Sequence, residues 1–363
     1  MHPSPRLPET LQIEERLPLL RVVSGVRLLH QGFHFKLLTS KSALMKLFNI
    51  TLLFCAAALS FSSCKKEEVA LELPDLDTYL SKQPNLSTFN AAIEKAQLAD
   101  YKKGPGPFSW LAPTNDAFTA AGITADSLNR MTPGAASYMI MYHILSSTNN
   151  PPTAVLTNEM IANFSVSRST QLGGTLAFMG QKGNDFFVNG SQITSGDNLL
   201  SNGVIHVINR VNTPPQLRGT IQSILQKTGQ HTLFIALLNR ASQWAQLSSG
   251  TFTVLAPTDA ALSALGTPFN ATTTINTISV TEATRIVRFH MFNGARLFNN
   301  DFKDGFSPST MQGPGRSIRI TNNGTRLTGP LNTKPIEFGG TLRDVLGTNG
   351  VVHSLGGVLL PGN

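Results

Sequence analysis

Four histidines fall into two pairs with one spacing: His143 and His206 lie 63 positions apart, and so do His290 and His353. Imidazole is a common metal ligand and the usual general base near neutral pH, so a pair written twice invites a metal site or a hydrolytic centre. The flanking residues argue against both. No second Cys, His-x-His or His-Glu-x-x-His spacing accompanies either pair, and the carrier segments are apolar, as in Met139-Ile140-Met141-Tyr142-His143-Ile144-Leu145. A buried ring bonded to backbone or to a hydroxyl explains the same pattern, so the expected role is structural. His231, at the start of a helical pattern, is expected at the surface or as a cap.

The acids that could complete a catalytic set are Asp116, Asp197 and Asp344. A hydrolase would pair one with a His and an activated Ser, yet no Gly-x-Ser-x-Gly elbow occurs. Capping and turn stabilisation account for these residues instead. Gly104-Pro105-Gly106 and Gly313-Pro314-Gly315 lack the third Gly and the strand-to-helix setting of a nucleotide loop, and read as turns. No catalytic, cofactor or metal residue is expected.

What must position the histidines is a repeat. Phe108-Ser109-Trp110-Leu111-Ala112-Pro113-Thr114-Asn115-Asp116-Ala117-Phe118 returns as Phe252-Thr253-Val254-Leu255-Ala256-Pro257-Thr258-Asp259-Ala260-Ala261-Leu262. Tyr142-His143-Ile144 returns as Phe289-His290-Met291. Asp197 with Asn202-Gly203-Val204-Ile205-His206 returns as Asp344 with Asn349-Gly350-Val351-Val352-His353. Three blocks in one order and nearly one register mean a duplicated domain. The copies divide as 72–213 and 217–361, with the break at Thr213-Pro214-Pro215-Gln216, where prolines end a strand.

Within a copy, Leu86–Leu98 carries apolar residues at helical spacing, matched by Ile221–Leu225 and Leu233–Trp244. Phe108–Ala112 and Thr251–Ala256 read as strands, each followed by a Thr (Thr114, Thr258) able to cap the next helix. Pro133–Leu145 and Thr281–Phe292 read as helices carrying the first His. Short strands follow: Thr175–Met179, Asp185–Val188 and Val204–Val211, then Ser317–Thr321, Arg326–Leu327, Ile336–Phe338 and Val351–Leu360. Helices first and strands after make an α+β fold. Asn-Gly supplies a tight turn before the last strand, whose alternation puts Val204 and His206 on one face and Ile205 and Val207 on the other.

The blocks resemble the fasciclin domain: a box ending in Ala-Pro-Thr-Asn-Asp-Ala-Phe, a Tyr-His element, and a closing Asn-Gly-Val-Ile-His box. The first copy matches closely. The second departs at Asp259, Leu262 and Phe289, and its closing box runs on as Ser354-Leu355-Gly356-Gly357. The resemblance, over about Leu71 to Pro361, implies a small wedge-shaped β-sandwich wrapped by helices, and adhesion through another surface protein or a polysaccharide. In animal relatives the Tyr-His element is linked with integrin recognition. Carried over, this nominates Tyr142 and His143, with Phe289 and His290 as the altered copy, although their apolar setting favours packing. The family-motif positions, mainly structural, are Pro113, Thr114, Asn115, Tyr142, His143, Asn202, Gly203 and His206, then Pro257, Thr258, Asp259, Phe289, His290, Asn349, Gly350 and His353.

The N-terminus reads as an address. Lys46, the apolar run Leu47–Leu59 and Ser60-Phe61-Ser62-Ser63-Cys64 form an export signal over 45–63 that resembles a bacterial lipoprotein signal, with Cys64 the lipidated residue. Phe61 stands where Leu is usual. Residues 64–71 are a tether, and Lys65-Lys66-Glu67-Glu68 resembles a surface-export signal of Bacteroidetes lipoproteins. Residues 1–44 fit neither scheme and read as translation from a start upstream of Met45. Asp126-Ser127-Leu128 fits a short O-glycosylation pattern.

Of the 363 residues, 41% are hydrophobic and 14% charged, enough for real cores. The net charge of +8 halves to +4 from Cys64 onward, without a Lys/Arg run, which excludes a nucleic-acid partner. Both cysteines, Cys55 and Cys64, lie in the N-terminal stretch, so no disulfide framework holds the repeat. The expected function is a non-catalytic surface lipoprotein, held to the outer membrane by its lipid, that binds a surface protein or polysaccharide. The alternatives are a carbohydrate-capture or envelope-scaffold subunit beside an outer-membrane uptake complex, and a hydrolase with a cryptic His/Asp site.

Overall fold

The computed structural model describes residues 72–147, 153–160 and 166–362. The proposed extension 1–44, the signal 45–63, Cys64 and the tether 64–71 lie outside the described residues.

Among the described residues, the first copy holds seven strands: β1 (Phe108–Pro113), β2 (Ile144–Leu145), β3 (Val166–Ser169), β4 (Leu176–Lys182), β5 (Asp185–Val188), β6 (Ser191–Leu200) and β7 (Gly203–Ile208). They form one sheet in the order β2-β1-β7-β6-β5-β4-β3. A bridge from Leu145 to Thr170, with Ser146 N–H donating to Ser169 O at 2.8 Å, brings the two edges of this sheet together. The sheet therefore curls into a flattened wedge with no open edge at that seam.

The second copy holds β8 (Phe252–Pro257), β9 (Met291–Asn293), β10 (Arg319–Thr321), β11 (Arg326–Thr328), β12 (Ile336–Glu337), β13 (Val345–Gly347) and β14 (Gly350–Leu355). Here the wedge divides into β13-β14-β8-β9 and β10-β11-β12, joined by a bridge from Phe338 to Leu355. The duplication shows in the register. β1 lies parallel to β7 with Phe108 opposite Gly203, and β8 parallel to β14 with Phe252 opposite Gly350.

These central strands are buried on both faces, which explains their nearly unbroken apolar runs. Trp110, Ala112, Ile205 and Val207 face the helices, packing with Phe89, Ile93 and Ile140. Leu111 and Ile208 face into the wedge with Met179 and Val188. In the second copy Val254, Ala256 and Val352 meet the helices, while Leu255 and Leu355 meet Phe302, Ile318 and Leu327. The alternation expected along β7 is the one observed.

Thr114 and Thr258 each accept the N–H three residues on, from Ala117 and Ala261 at 3.2 Å, and so start the helices Asn115–Ala120 and Asp259–Ser263. The helices that precede β2 and β9 are shorter than expected. They run Pro133–Met141 and Val280–Phe289, and His143 and His290 sit just past their ends. The chain turns because the peptide of each His is taken by the sheet: Leu111 N–H donates to His143 O, and Leu255 N–H to His290 O. β3, β6 and β13 escaped the sequence reading, and β2 and most of β9 were read as helix. β6 is polar and carries register shifts between Ile193, Ser195 and Asn198, so its side chains do not alternate regularly.

Candidate functional site

Each copy builds the same pair of imidazole cross-links. His143 Nδ1–H donates to Met139 O at 2.9 Å, and its Nε2 accepts Asn212 N–H at 3.0 Å. His290 repeats this with Ile286 O at 2.9 Å and Leu359 N–H at 3.0 Å. A carbonyl can only accept and a backbone N–H can only donate, so each ring is the neutral Nδ1–H tautomer. Burial pushes both pKa values down to about 4, against the opposing pull of the carbonyl bond. The first His of each pair therefore ties the end of a helix to the segment that follows the last strand.

The second His carries the opposite tautomer. His206 Nδ1 accepts Asp197 N–H at 3.1 Å and Nε2–H donates to Val155 O at 2.9 Å. His353 does the same with Asp344 N–H at 3.3 Å and Leu297 O at 2.8 Å. Asp197 and Asp344 share the left-handed backbone, at φ of 55° and 53°. Their carboxylates complete the clamp, accepting Thr157 N–H at 2.9 Å and Asn299 N–H at 2.6 Å, two residues beyond the carbonyls that the imidazoles hold. A hydroxyl on the first strand closes it from below: Val155 N–H donates to Ser109 Oγ at 2.7 Å and Leu297 N–H to Thr253 Oγ1 at 2.8 Å. His, Asp and Ser/Thr thus converge in space, but on backbone groups of one loop.

This arrangement cannot act as a base or a ligand without coming apart, because every ring nitrogen already holds a backbone partner. Burial lowers the pKa of His206 and His353 as well, so their rings are neutral near pH 7. Among the described residues, no three His, Cys, Asp or Glu side chains gather as a metal site would require.

The other motif positions also fasten the frame. Asn202 Nδ2 donates to Lys102 O and Gly104 O at 3.1 Å, and Asn349 Nδ2 to Leu247 O at 2.8 Å. Gly203 and Gly350, at φ of 150° and 152°, lie where a Cβ would come within 1.9 Å of Phe108 O or Phe252 O. The parallel pair can form only because that atom is missing. Pro113 and Pro257 end the first strands.

Asn115 accepts Thr88 N–H at 2.9 Å and donates to Pro84 O and Ser87 Oγ at 3.0 Å. Asp259 meets only donors, Leu233 N–H and Thr232 Oγ1–H, both at 2.8 Å. The exchange of Asn for Asp follows from those partners. Asp116 is exposed in the first turn of its helix, a favourable place for a negative charge.

Tyr142 is buried, its hydroxyl donating to Leu176 O at 3.0 Å and accepting Asn189 Nδ2–H at 3.1 Å. Phe289 is equally buried in the second copy. The positions nominated for partner recognition are thus interior.

His231 corrects an expectation. It stands at the N-cap position of the helix Thr232–Arg240, but its side chain makes no cap bond and is fully buried rather than exposed, donating from Nδ1 to Pro257 O at 2.9 Å and accepting from Ser354 Oγ at 2.9 Å, while Ser354 Oγ accepts Leu342 N–H at 3.2 Å. At the matching places in the first copy stand Leu86 and Val207, both in the helix-side core. The second copy has traded an apolar pair for a hydrogen-bonded one. The only sign of it in the sequence was Ser354 where the closing box calls for an apolar residue.

The two copies also meet directly. Arg210 of the first donates from Nη1 to Asp344 Oδ2 at 3.1 Å and from Nη2 to Arg343 O at 3.0 Å. Lys182 Nζ donates to Asn323 O at 2.6 Å, and the Phe178 and Phe298 rings lie 6.0 Å apart. Gly190, at φ of 76°, leaves room for Asp344, whose Cγ would stand 2.4 Å from a Cβ there.

The profile of the fasciclin domain matches residues 84–214 and 229–361. Stabilin-2 of Mus musculus is 26% identical over 230 residues, 59% of this chain and 8% of that protein. Protein sll1483 of Synechocystis sp. is 32% identical over 137 residues, 36% of this chain and 67% of that protein. The solved domain pair of the insect cell adhesion molecule Fasciclin I is 19% identical, with a TM-score of 0.35, covering 77% of this chain and 98% of that one. The chain thus spans under a tenth of the length of Stabilin-2. With both copies matched over most of their length, the chain belongs to the fasciclin domain family as a tandem pair.

Proposed function

We propose that this protein is a non-catalytic, lipid-anchored adhesion protein of a Bacteroidetes-type bacterial surface, fastened through Cys64 and binding an extracellular macromolecule with its two fasciclin domains. The observation that carries this reading is that the family's signature residues are spent on internal cross-links. His143, His206, His290 and His353 hold backbone, and Tyr142 holds a hairpin. Recognition then falls to the surface around a rigid frame. Fasciclin-domain proteins are typically adhesive or extracellular binding proteins, which supports the same reading. Two modules on one anchor gain from effective concentration when the partner repeats.

The address is tested on cells. A radiolabelled lipid precursor should enter the wild-type protein and not Cys64→Ala, and protease shaving of intact cells should remove the domains. Binding is tested by passing the full chain over arrays of matrix proteins and polysaccharides, where saturable binding to at least one surface macromolecule is expected. Blank arrays would remove the adhesion reading.

A further inference from the structure

Resting on that reading, we infer that the partner is a protein, docking an acidic segment with leucine-type side chains into a groove where the linker enters the second copy. The groove, of about 360 Å³, lies between the helices Pro215–Arg218 and Ile221–Thr228 and strand β13. This is the size of a small ligand pocket. Its floor is Ile224, Leu342 and Val345, and its rim carries Leu217, Arg218 and Lys227. Leu217 is 59% exposed, the most of any large apolar side chain among the described residues.

Charge selects the occupant. Among the described residues, neither Arg218 nor Lys227 has a carboxylate within ion-pair reach. Arg218 donates to Thr213 Oγ1 at 3.0 Å, and Lys227 reaches only Arg218 O at 3.4 Å. Both bonds leave the cationic charge unneutralised beside an apolar floor. Burial, and then the neighbouring Arg210 guanidinium, pull the Arg218 pKa down. No acid lines the groove, so a carboxylate that arrives with apolar neighbours finds both halves of its complement.

The chemistry of the exposed residues speaks against a neutral glycan. Sugar rings are held by exposed aromatic faces, whereas among the described residues the exposed large apolar side chains, such as Leu199, Leu217, Val280 and Leu331, are all aliphatic. An apolar patch rimmed by charge is the signature of a protein-binding surface.

The test uses the full chain in detergent and a fluorescein-labelled synthetic peptide of repeated Leu-Glu, read by anisotropy. A Leu-Gln peptide and a uronic-acid oligosaccharide are the comparisons. The Leu-Glu peptide should bind saturably below about 1 mM, at least tenfold tighter than the Leu-Gln peptide, and more weakly as salt rises. The double variant Arg218→Ala/Lys227→Ala should lose at least tenfold, and Leu217→Asp should lose as much. Circular dichroism melts check that the folds stay comparable, since Leu217 and Lys227 are exposed and Arg218 is half-buried.

Absent binding, equal binding of the two peptides, an unmoved double variant, or binding of the oligosaccharide alone would each overturn the proposal. The two readings fail separately. A protein partner on the arrays that binds the double variant as well as wild type defeats the groove and leaves adhesion standing.

Discussion

Asp344 accepts an asparagine backbone N–H inside the second copy and the Arg210 guanidinium, at 3.1 Å, from the first. Its counterpart Asp197 has no such caller and turns instead to Thr157 Oγ1 of its own copy. One clamp is self-contained, and the other doubles as a latch. The Asp344 side chain is 2% exposed against 40% for Asp197, so loss of a partner strands a buried carboxylate in one case and a half-wet one in the other. Arg210→Met should cost about 2 kcal/mol, and Asp344→Asn should cost at least about 1 kcal/mol more than Asp197→Asn. Urea unfolding of the three variants measures this.

Stability should fall in mild acid. His143 and His290 titrate near pH 6.5 when unfolded and about 4 when folded, because burial disfavours the charged ring. The unfolded chain therefore takes up protons first. The stabilisation is whole above pH 6.5 and is lost as pH falls from 6.5 to 4, by about 3 kcal/mol for each ring. His206, His231 and His353 shift in the same direction and add to the slope. Urea midpoints between pH 7 and pH 4.5 should show the decline, and His290→Gln should flatten it.

Gly350→Ala should abolish the central parallel pair of the second copy. Its Cβ would enter the van der Waals sphere of Phe252 O at 1.9 Å, and strand backbone cannot yield cheaply. A loss of more than about 3 kcal/mol is expected. Gly313→Ala, at a φ of 121° and with a Cβ that would meet nothing within 4 Å, serves as the control for positive φ without a clash, and its cost should be about 1 kcal/mol. Thermal melts distinguish the two.

The buried pair His231 and Ser354 should behave as a unit. His231→Leu leaves Pro257 O and the Ser354 hydroxyl short of partners, and Ser354→Val leaves His231 Nε2 and Leu342 N–H unpaired. Each single change should cost about 2 kcal/mol. The double variant rebuilds the leucine–valine pair of the first copy, so a double-mutant cycle should show coupling of about 1 kcal/mol or more.

Much of this was legible without coordinates, because the duplication supplies its own alignment. The capping threonines, the interior faces of β7 and the structural role of His143 and His206 follow from local rules read twice over. Helix ends were less legible. Pro133–Met141 stops where β1 takes the His143 carbonyl, and that competition is between segments more than 30 residues apart.

The chain by itself determined a repeated α+β unit, since apolar period, caps and turns are local properties, and its three repeated boxes carried the resemblance to the fasciclin domain. Only the tertiary structure decided where the five repeat-region histidines point, that His231 is interior, and that Arg210 of one copy completes Asp344 of the other. Hydrogen-bond partners far apart in sequence obey no spacing rule. They are chosen by which backbone groups the folded core leaves unpaired.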